Sequence, residues 1–432
     1  MKTLILSLLL FLSYVLHAQQ PYFPPLATNS PWETTSLDTL GWCPDKVDSL
    51  YSFLQQQNTK AFLVLKDGKI VLEKYFGTFT KDSNWYWASA GKSLTALLVG
   101  KAQEEGFLSI GDTSSKYLGP GWTNCTPQQE QRITIRHQLT MTSGLDDGVT
   151  DNHCTSAPCL TFKANAGTRW AYHNAPYTLL DSVLYKATGQ TLNAYTLAKV
   201  RLKTGMNGVW FKSDYDNVFA STPRSMARYG LLAQNNFVWN TDTLIHDTAY
   251  VRQMTNTSQP YNLSYGYLWW LNGKTSYMFP SSQLVVPGSY SSNAPADMFA
   301  AIGKNGQIVS ISKSTGLVVV RMGDAPTNLG EVPFALCDSI WSNLNKVMCK
   351  TTGLGTFQLT TPKIRVYPNP AHDLLFIELS SNEPFSASIF NMLGAEVLSG
   401  HNNLDISNLP EGIYLLQINT ATHTYTRKWI KN

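Results

Sequence analysis

The chain of 432 residues carries 33 Lys and Arg against 29 Asp and Glu, a net charge of +4. With 43% hydrophobic and only 14% charged residues, it has apolar material for a large core plus a second unit, which excludes a disordered polyelectrolyte. Its basic residues are dispersed, with no basic run or basic helix, which argues against a nucleic-acid partner.

Met1-Lys2 and the apolar stretch from Leu4 to Leu16 read as an export signal, too short to cross a membrane as a helix. Leu16-His17-Ala18 supplies the cleavage site, so residues 1–18 are expected to be removed. No cysteine follows at once, which speaks against a lipoprotein, and no later run reaches transmembrane length. Export makes disulfides the expectation for the six cysteines. Proximity pairs Cys154 with Cys159 and Cys337 with Cys349, leaving Cys43 for Cys125, although connectivity does not follow from sequence. His153 beside Cys154 raises zinc as an alternative, but the spacing matches no common zinc pattern. No metal or cofactor is expected.

After the leader, a loop rich in Pro, Ser and Thr precedes a helix over 45–56, with Val47, Leu50, Tyr51 and Leu54 as its apolar face. Two apolar runs, 61–66 and 69–75, flank Asp67-Gly68 and predict a hairpin. Then comes Ser89-Ala90-Gly91-Lys92, opening a helix-compatible apolar run. Three residues apart on a helix, Ser89 and Lys92 share a face. The hydroxyl stands where free N–H groups and the dipole favour negative charge, and an ammonium in apolar surroundings becomes a base. The competing reading of Ser89 is an ordinary helix cap. A second pair at this spacing, Ser310 and Lys313, lies on a strand-like run, where residues three apart point to opposite faces.

A glycine-led turn, Gly167-Thr168-Arg169-Trp170-Ala171, leads into Tyr172-His173-Asn174 and a helix over 177–187 that ends at Gly189. A phenol near an ammonium can shuttle protons, and an amide two residues on can hold a substrate carbonyl. Alternatively, Tyr172 is a packed loop aromatic; His173, with no partner carboxylate in view, reads as a loop residue. Tyr215-Asp216-Asn217 repeats the pattern without the glycine-led turn or the following helix. Strands return at 298–302, 307–311 and 317–322, and Lys304-Asn305-Gly306-Gln307 joins the first two. There a cation followed by a side-chain-free position lets an edge strand lie close to a ligand, or simply closes a hairpin. A helix over 332–344 ends this unit. Strands at both ends of a helical block imply one antiparallel sheet built from distant segments, an α/β (α+β) domain over 19–350. A linker over 351–362 and a small all-β sandwich over 363–432 follow, with strands at 374–379, 386–390, 412–418 and 425–430.

Ser-x-x-Lys, Tyr-x-Asn and Lys-x-Gly in this order resemble the serine β-lactamase and penicillin-binding-protein superfamily, and Tyr-x-Asn points to its class C branch with related esterases, D,D-peptidases and amide-oligomer hydrolases. The segments 133–145, 225–232 and 265–270 also look like that branch, so the resemblance spans about residues 40 to 348. It implies a β-lactamase/transpeptidase-like fold, an antiparallel sheet flanked by helices with a helical lobe. It makes Ser89 the nucleophile, with Lys92 and Tyr172 sharing acid and base work. Asn174 orients the substrate, Lys304 adds positive charge beside Gly306, and the N–H groups of Ser89 and Gln307 form the oxyanion hole. Lys304-Asn305-Gly306 departs from Lys-Thr-Gly, and Gln307 replaces a small residue, which speaks against antibiotic hydrolysis. Trp269-Trp270 reads as pocket wall or as buried core. The expected substrate is an ester, an amide or peptide, or a lactam; the alternative is a catalytically silent relative that binds peptidoglycan or peptides. Val366-Tyr367-Pro368-Asn369-Pro370, Leu409-Pro410-Glu411-Gly412-Ile413-Tyr414 and the ending Lys428-Trp429-Ile430-Lys431-Asn432 resemble the sorting domain of type IX secretion substrates, with a carbohydrate-binding sandwich as the alternative. That resemblance implies passage through the periplasm to the outer-membrane surface or the medium.

Overall fold

The structure, a computed structural model, describes residues 21–27, 30–326, 332–349, 364–379, 384–392, 394–420 and 424–432. The expected signal peptide and the expected linker over 351–362 lie outside the described residues. Helix α1 (Val47–Gln56) buries Leu50 and Leu54, two members of its anticipated apolar face; Pro44–Lys46 ahead of it form a 3-10 turn, which shortens the expected helix. Strands β1 (Thr59–Lys66) and β2 (Lys69–Tyr75) pair antiparallel through Asp67 and Gly68. Both turn residues have positive φ, 49° and 84°, the geometry that a two-residue hairpin demands.

The remaining strands of this sheet come from far along the chain: β3 (Trp270–Leu271), β4 (Phe299–Gly303), β5 (Gln307–Ser312) and β6 (Leu317–Gly323). Their order with the first two is β2-β1-β6-β5-β4-β3, every pairing antiparallel. Strand β1 joins both halves, Leu63 lying opposite Val320. Strands β4, β5 and β6 are buried along their whole length, so they read as apolar runs without alternation. Val309 and Val318 close on Gly230 of α4 (Pro223–Gln234), whereas Ser310 Oγ accepts from Trp341 Nε1 of α5 (Phe334–Val347). Because consecutive strand residues point to opposite faces, α4 and α5 cover the two sides of the sheet.

Two longer helices, with several short ones, build the lobe beside it. Helix α2 (Lys92–Glu104) is buried on nearly every side. Helix α3 (Asn174–Thr188) begins three residues earlier than the apolar periodicity implied and stops at Gly189, whose φ of 70° suits a left-handed C-cap. Trp122, Ile133, Leu145, Leu160 and Ala175 form a separate small core there.

The C-terminal residues form two sheets, of three strands (Ile364–Tyr367, Leu374–Leu379, Asn403–Asp405) and four (Glu396–Gly400, Phe385–Phe390, Gly412–Thr420, Thr424–Lys431). Leu375, Ile377, Ile389, Leu416, Ile418 and Trp429 are among the residues of their own apolar cluster. Tyr414 stacks on Trp429 at 5.2 Å, both buried, so neither offers the exposed aromatic platform a sugar-binding face wants.

Two disulfides join Cys154 to Cys159 and Cys43 to Cys349, while Cys125 and Cys337 are free thiols. The expected Cys337–Cys349 and Cys43–Cys125 bridges are therefore incorrect. Cys337 lies near the start of α5 and Cys349 just beyond its end; a helix rising 1.5 Å per residue holds them roughly 18 Å apart, far outside disulfide reach. Cys43 instead meets the end of α5, its N–H donating to Val347 O at 2.7 Å. No helix among the described residues is long and apolar enough to cross a membrane.

Candidate active site

Ser89 lies in a 3-10 turn, Ala88–Gly91, that runs directly into α2. Ala88 before it takes φ of 47°, which a non-glycine residue adopts only under constraint. The constraint is Trp87, fully buried, whose backbone N–H donates to Phe219 O at 2.7 Å and whose indole donates to Ser221 Oγ at 2.8 Å. Lys92 begins α2 one turn on, 4% exposed, and its Nζ donates to Ser89 Oγ at 3.1 Å. The ammonium sits 4.1 Å from the Tyr177 ring centroid and 5.4 Å from that of Tyr172. Tyr172 stacks on Trp270 at 5.8 Å with edge contacts to Tyr265. The apolar surround that the sequence implied for the lysine is thus built of aromatic faces. Ser310 and Lys313 do not meet: the serine accepts from Trp341 and the lysine donates to Asn236 Oδ1 at 2.6 Å.

Asn174 is the first residue of α3, and its Nδ2 donates to Asn152 Oδ1 at 2.9 Å and meets His153 Nε2 at 3.1 Å. The other ring nitrogen of His153 lies 2.6 Å from Asp216 Oδ2, and Asp216 Oδ1 accepts from Thr178 Oγ1 at 2.8 Å. Asn174, Thr178 and Asp181 follow at helical spacing along α3, so one face meets the strand Asp216–Ser221. Burial pushes the Asp181 carboxyl up to about 7, and Asn217 Nδ2 donates to its Oδ2 at 2.7 Å. Although burial opposes it, the His153 hydrogen bond and the Lys92 charge hold Asp216 below its ordinary range. Burial drives His173 down to about 4, so its ring is neutral at pH 7. Sequence reasoning set aside Tyr215-Asp216-Asn217 and His153; the only available signal was their residue chemistry, because the fold alone brings them under Asn174.

The third segment is arranged differently from the expectation. Gly303, the last residue of β4, abuts the serine turn: a Cβ there would collide with the Trp87 carbonyl and stand 3.0 Å from the Ser89 nitrogen. Gly306 is packed elsewhere, against Arg321 and Leu336. Gln307 is fully buried, its Nε2 donating to Gly323 O at 2.6 Å and its Oε1 accepting from Gly323 N at 3.1 Å, and it is the register partner of Gly303. Lys304 follows Gly303 and is exposed. The side-chain-free position facing the serine is therefore Gly303. Arg321, fully buried, pins this turn by donating to the carbonyls of Asn305 and Gly306. Among the described residues no His, Cys, Asp and Glu group has metal-holding geometry.

Residues 53–333 match the family described as Beta-lactamase, and residues 365–432 match the secretion system C-terminal sorting domain. An uncharacterized protein of Alkalihalophilus pseudofirmus is 24% identical over 298 residues, covering 60% of this chain and 81% of that one. Protein flp of Staphylococcus aureus is 28% identical over 160 residues, and the match spans only 31% of each chain. Among solved structures, the octameric penicillin-binding protein homologue from Pyrococcus abyssi superposes with a TM-score of 0.53 at 16% identity, covering 89% of this chain and 96% of that one.

Proposed function

The chain belongs to the beta-lactamase family of serine hydrolases and ends in a secretion-system sorting domain, and from that premise we propose that it is an exported acyl-transfer hydrolase with Ser89 as nucleophile. The observation that carries this reading is the 3.1 Å contact between Lys92 Nζ and Ser89 Oγ within an aromatic surround. Poor hydration disfavours the charged ammonium, which fits Lys92 to act as a base with Tyr172 as its partner.

Ser89 Oγ bonds to the acyl carbon as its proton passes to the Lys92–Tyr172 pair. The bond to the leaving alcohol or amine then breaks, and that group departs with the proton. Water repeats the sequence on the acyl-enzyme and releases the acid, so no metal or cofactor enters the balance. The Ser89 N–H and a donor from the turn 303–307 stabilise the oxyanion, Asn174 orients the substrate, and Lys304 contributes positive charge. The acyl substrate is an ester, a peptide-like amide or a lactam. The C-terminal module directs the enzyme through the periplasm and the type IX machinery to the outer surface or the medium.

A panel of nitrophenyl esters, D-Ala-D-Ala peptides and nitrocefin tests the reading with wild type and Ser89→Ala. Turnover of at least one class, lost in the alanine variant, is the expected result. Turnover undiminished in Ser89→Ala would remove Ser89 as the nucleophile, and tight peptidoglycan binding with no turnover of any donor would replace the reading with that of a binding module.

A further inference from the structure

The residues beneath Asn174 hold its amide in one orientation. The Asp216 carboxylate can only accept, so the His153 nitrogen 2.6 Å from it is the protonated one. In the singly protonated ring the opposite nitrogen, Nε2, is an acceptor for Asn174 Nδ2–H at 3.1 Å. The second hydrogen of that amide goes to Asn152 Oδ1. Both donors of Asn174 are thereby used, so the amide does not offer the donor to a substrate carbonyl that the sequence implied, and its Oδ1, buried, has no hydrogen-bond partner among the described residues. An acceptor left in that state costs free energy unless a ligand supplies a donor.

We propose that Asp216 and His153 form a positioning relay that fixes the Asn174 amide with its carbonyl free for a substrate N–H, so that acyl transfer weakens when His153 takes up a second proton. This rests on the reading of Ser89 as nucleophile. Protonation places an N–H of His153 against the NH2 of Asn174, two donors face to face. The amide must then turn over, which presents donors where an acceptor stood. The His153 side chain is 43% exposed, so bulk solvent reaches the ring. The groups that face it are Asp216 from the strand, Asn174 from α3, and Asp151 and His173 from the loops, Asp151 Oδ1 accepting the His153 backbone N–H at 2.9 Å, while Lys92 from α2 and Asp181 from α3 act on Asp216 behind it.

The experiment measures kcat/KM against pH for an N-acyl amino-acid nitrophenyl ester, whose amide N–H is the probe, with wild type, His153→Gln, His153→Phe and Asp181→Asn. Gln keeps an oxygen for Asn174 and an N–H for Asp216 but does not titrate. Expected are an acidic fall in wild type and Asp181→Asn, a shallower fall in His153→Gln at near-normal neutral activity because only the Lys92–Tyr172 base then titrates, and a loss of about ten- to a hundredfold at all pH in His153→Phe, the scale of a misplaced substrate contact. An acidic fall in His153→Gln of the same midpoint and steepness as in wild type, or one altered in Asp181→Asn alone, would overturn the relay. A second readout needs no turnover: the Asn174 side-chain amide resonances should titrate in wild type and stay fixed in His153→Gln. Resonances that titrate identically in both contradict the relay even if Ser89 proves inert, whereas loss of Ser89 labelling alone strikes only the functional reading.

Discussion

At Lys92 the relevant balance is between a buried ammonium, which desolvation penalises, and the aromatic faces of Tyr177 and Tyr172, which partly offset that penalty. If Lys92 and Tyr172 share one proton network, their losses cannot add. Lys92→Ala and Tyr172→Phe should each lower turnover on the order of a thousandfold, as loss of a general base does, and the double variant should be little worse than the poorer single. Near-normal turnover in Tyr172→Phe removes it from the chemistry. Asp181 makes a separate prediction through stability. Its carboxyl is pushed up from 3.8 to about 7 by burial, so between those values the folded chain keeps a proton that the unfolded chain has lost. Stability therefore falls as pH rises across that window and is lowest above it. Asp181→Asn should raise Tm relative to wild type at about pH 8 and match it near pH 4; a lower Tm at the higher pH would mean the carboxylate is stabilising. The contact of Lys92 with Ser89 could be read from sequence because the pair lies within one turn, where spacing alone sets geometry. His153 and Asp216 could not, since they are 63 positions apart and only the packing of a strand on α3 unites them.

Among elements, the end of β4 decides the shape of the site. The apolar runs of β4, β5 and β6 announced three strands to within a residue or two, because continuous burial leaves a continuous hydrophobic signal. Which glycine faces the serine did not follow, because Gly303 and Gly306 sit in one short turn and their roles depend on register and on Arg321, a buried side chain reaching in from β6. Gly303→Ala should push β4 from the serine turn, since the carbonyl it meets is backbone and cannot swing aside. The expected loss in the rate of Ser89 acylation is about a hundredfold, the usual consequence of a small misplacement, with Tm lowered only modestly. Unchanged acylation in that variant would mean the strand end does not shape the site.

On the scale of the whole molecule, the Cys43–Cys349 bridge ties the two ends of the catalytic unit across 306 residues. In the chain-entropy account such a loop stabilises by on the order of 5 kcal/mol. Its pairing was illegible because neighbours in sequence were separated along α5, while distant residues met where α1 packs on α5. The C-terminal unit was legible from its own alternating strands, and it keeps its own apolar cluster. Residues 19–350, oxidised so that this bridge forms, should therefore fold and keep hydrolase activity, and in the native host should be stranded in the periplasm. Normal secretion of that truncated chain would contradict the sorting role; normal placement with failure on polymeric substrate alone would point to a binding module.

The most direct test of the account is covalent. Incubated with a serine-directed fluorophosphonate, the protein should gain the mass of one adduct, peptide mapping should place it on Ser89, and Ser89→Ala should abolish it. An adduct on Ser310, or no adduct with this or any acyl donor, would contradict the central claim that Ser89, activated by Lys92, is the nucleophile.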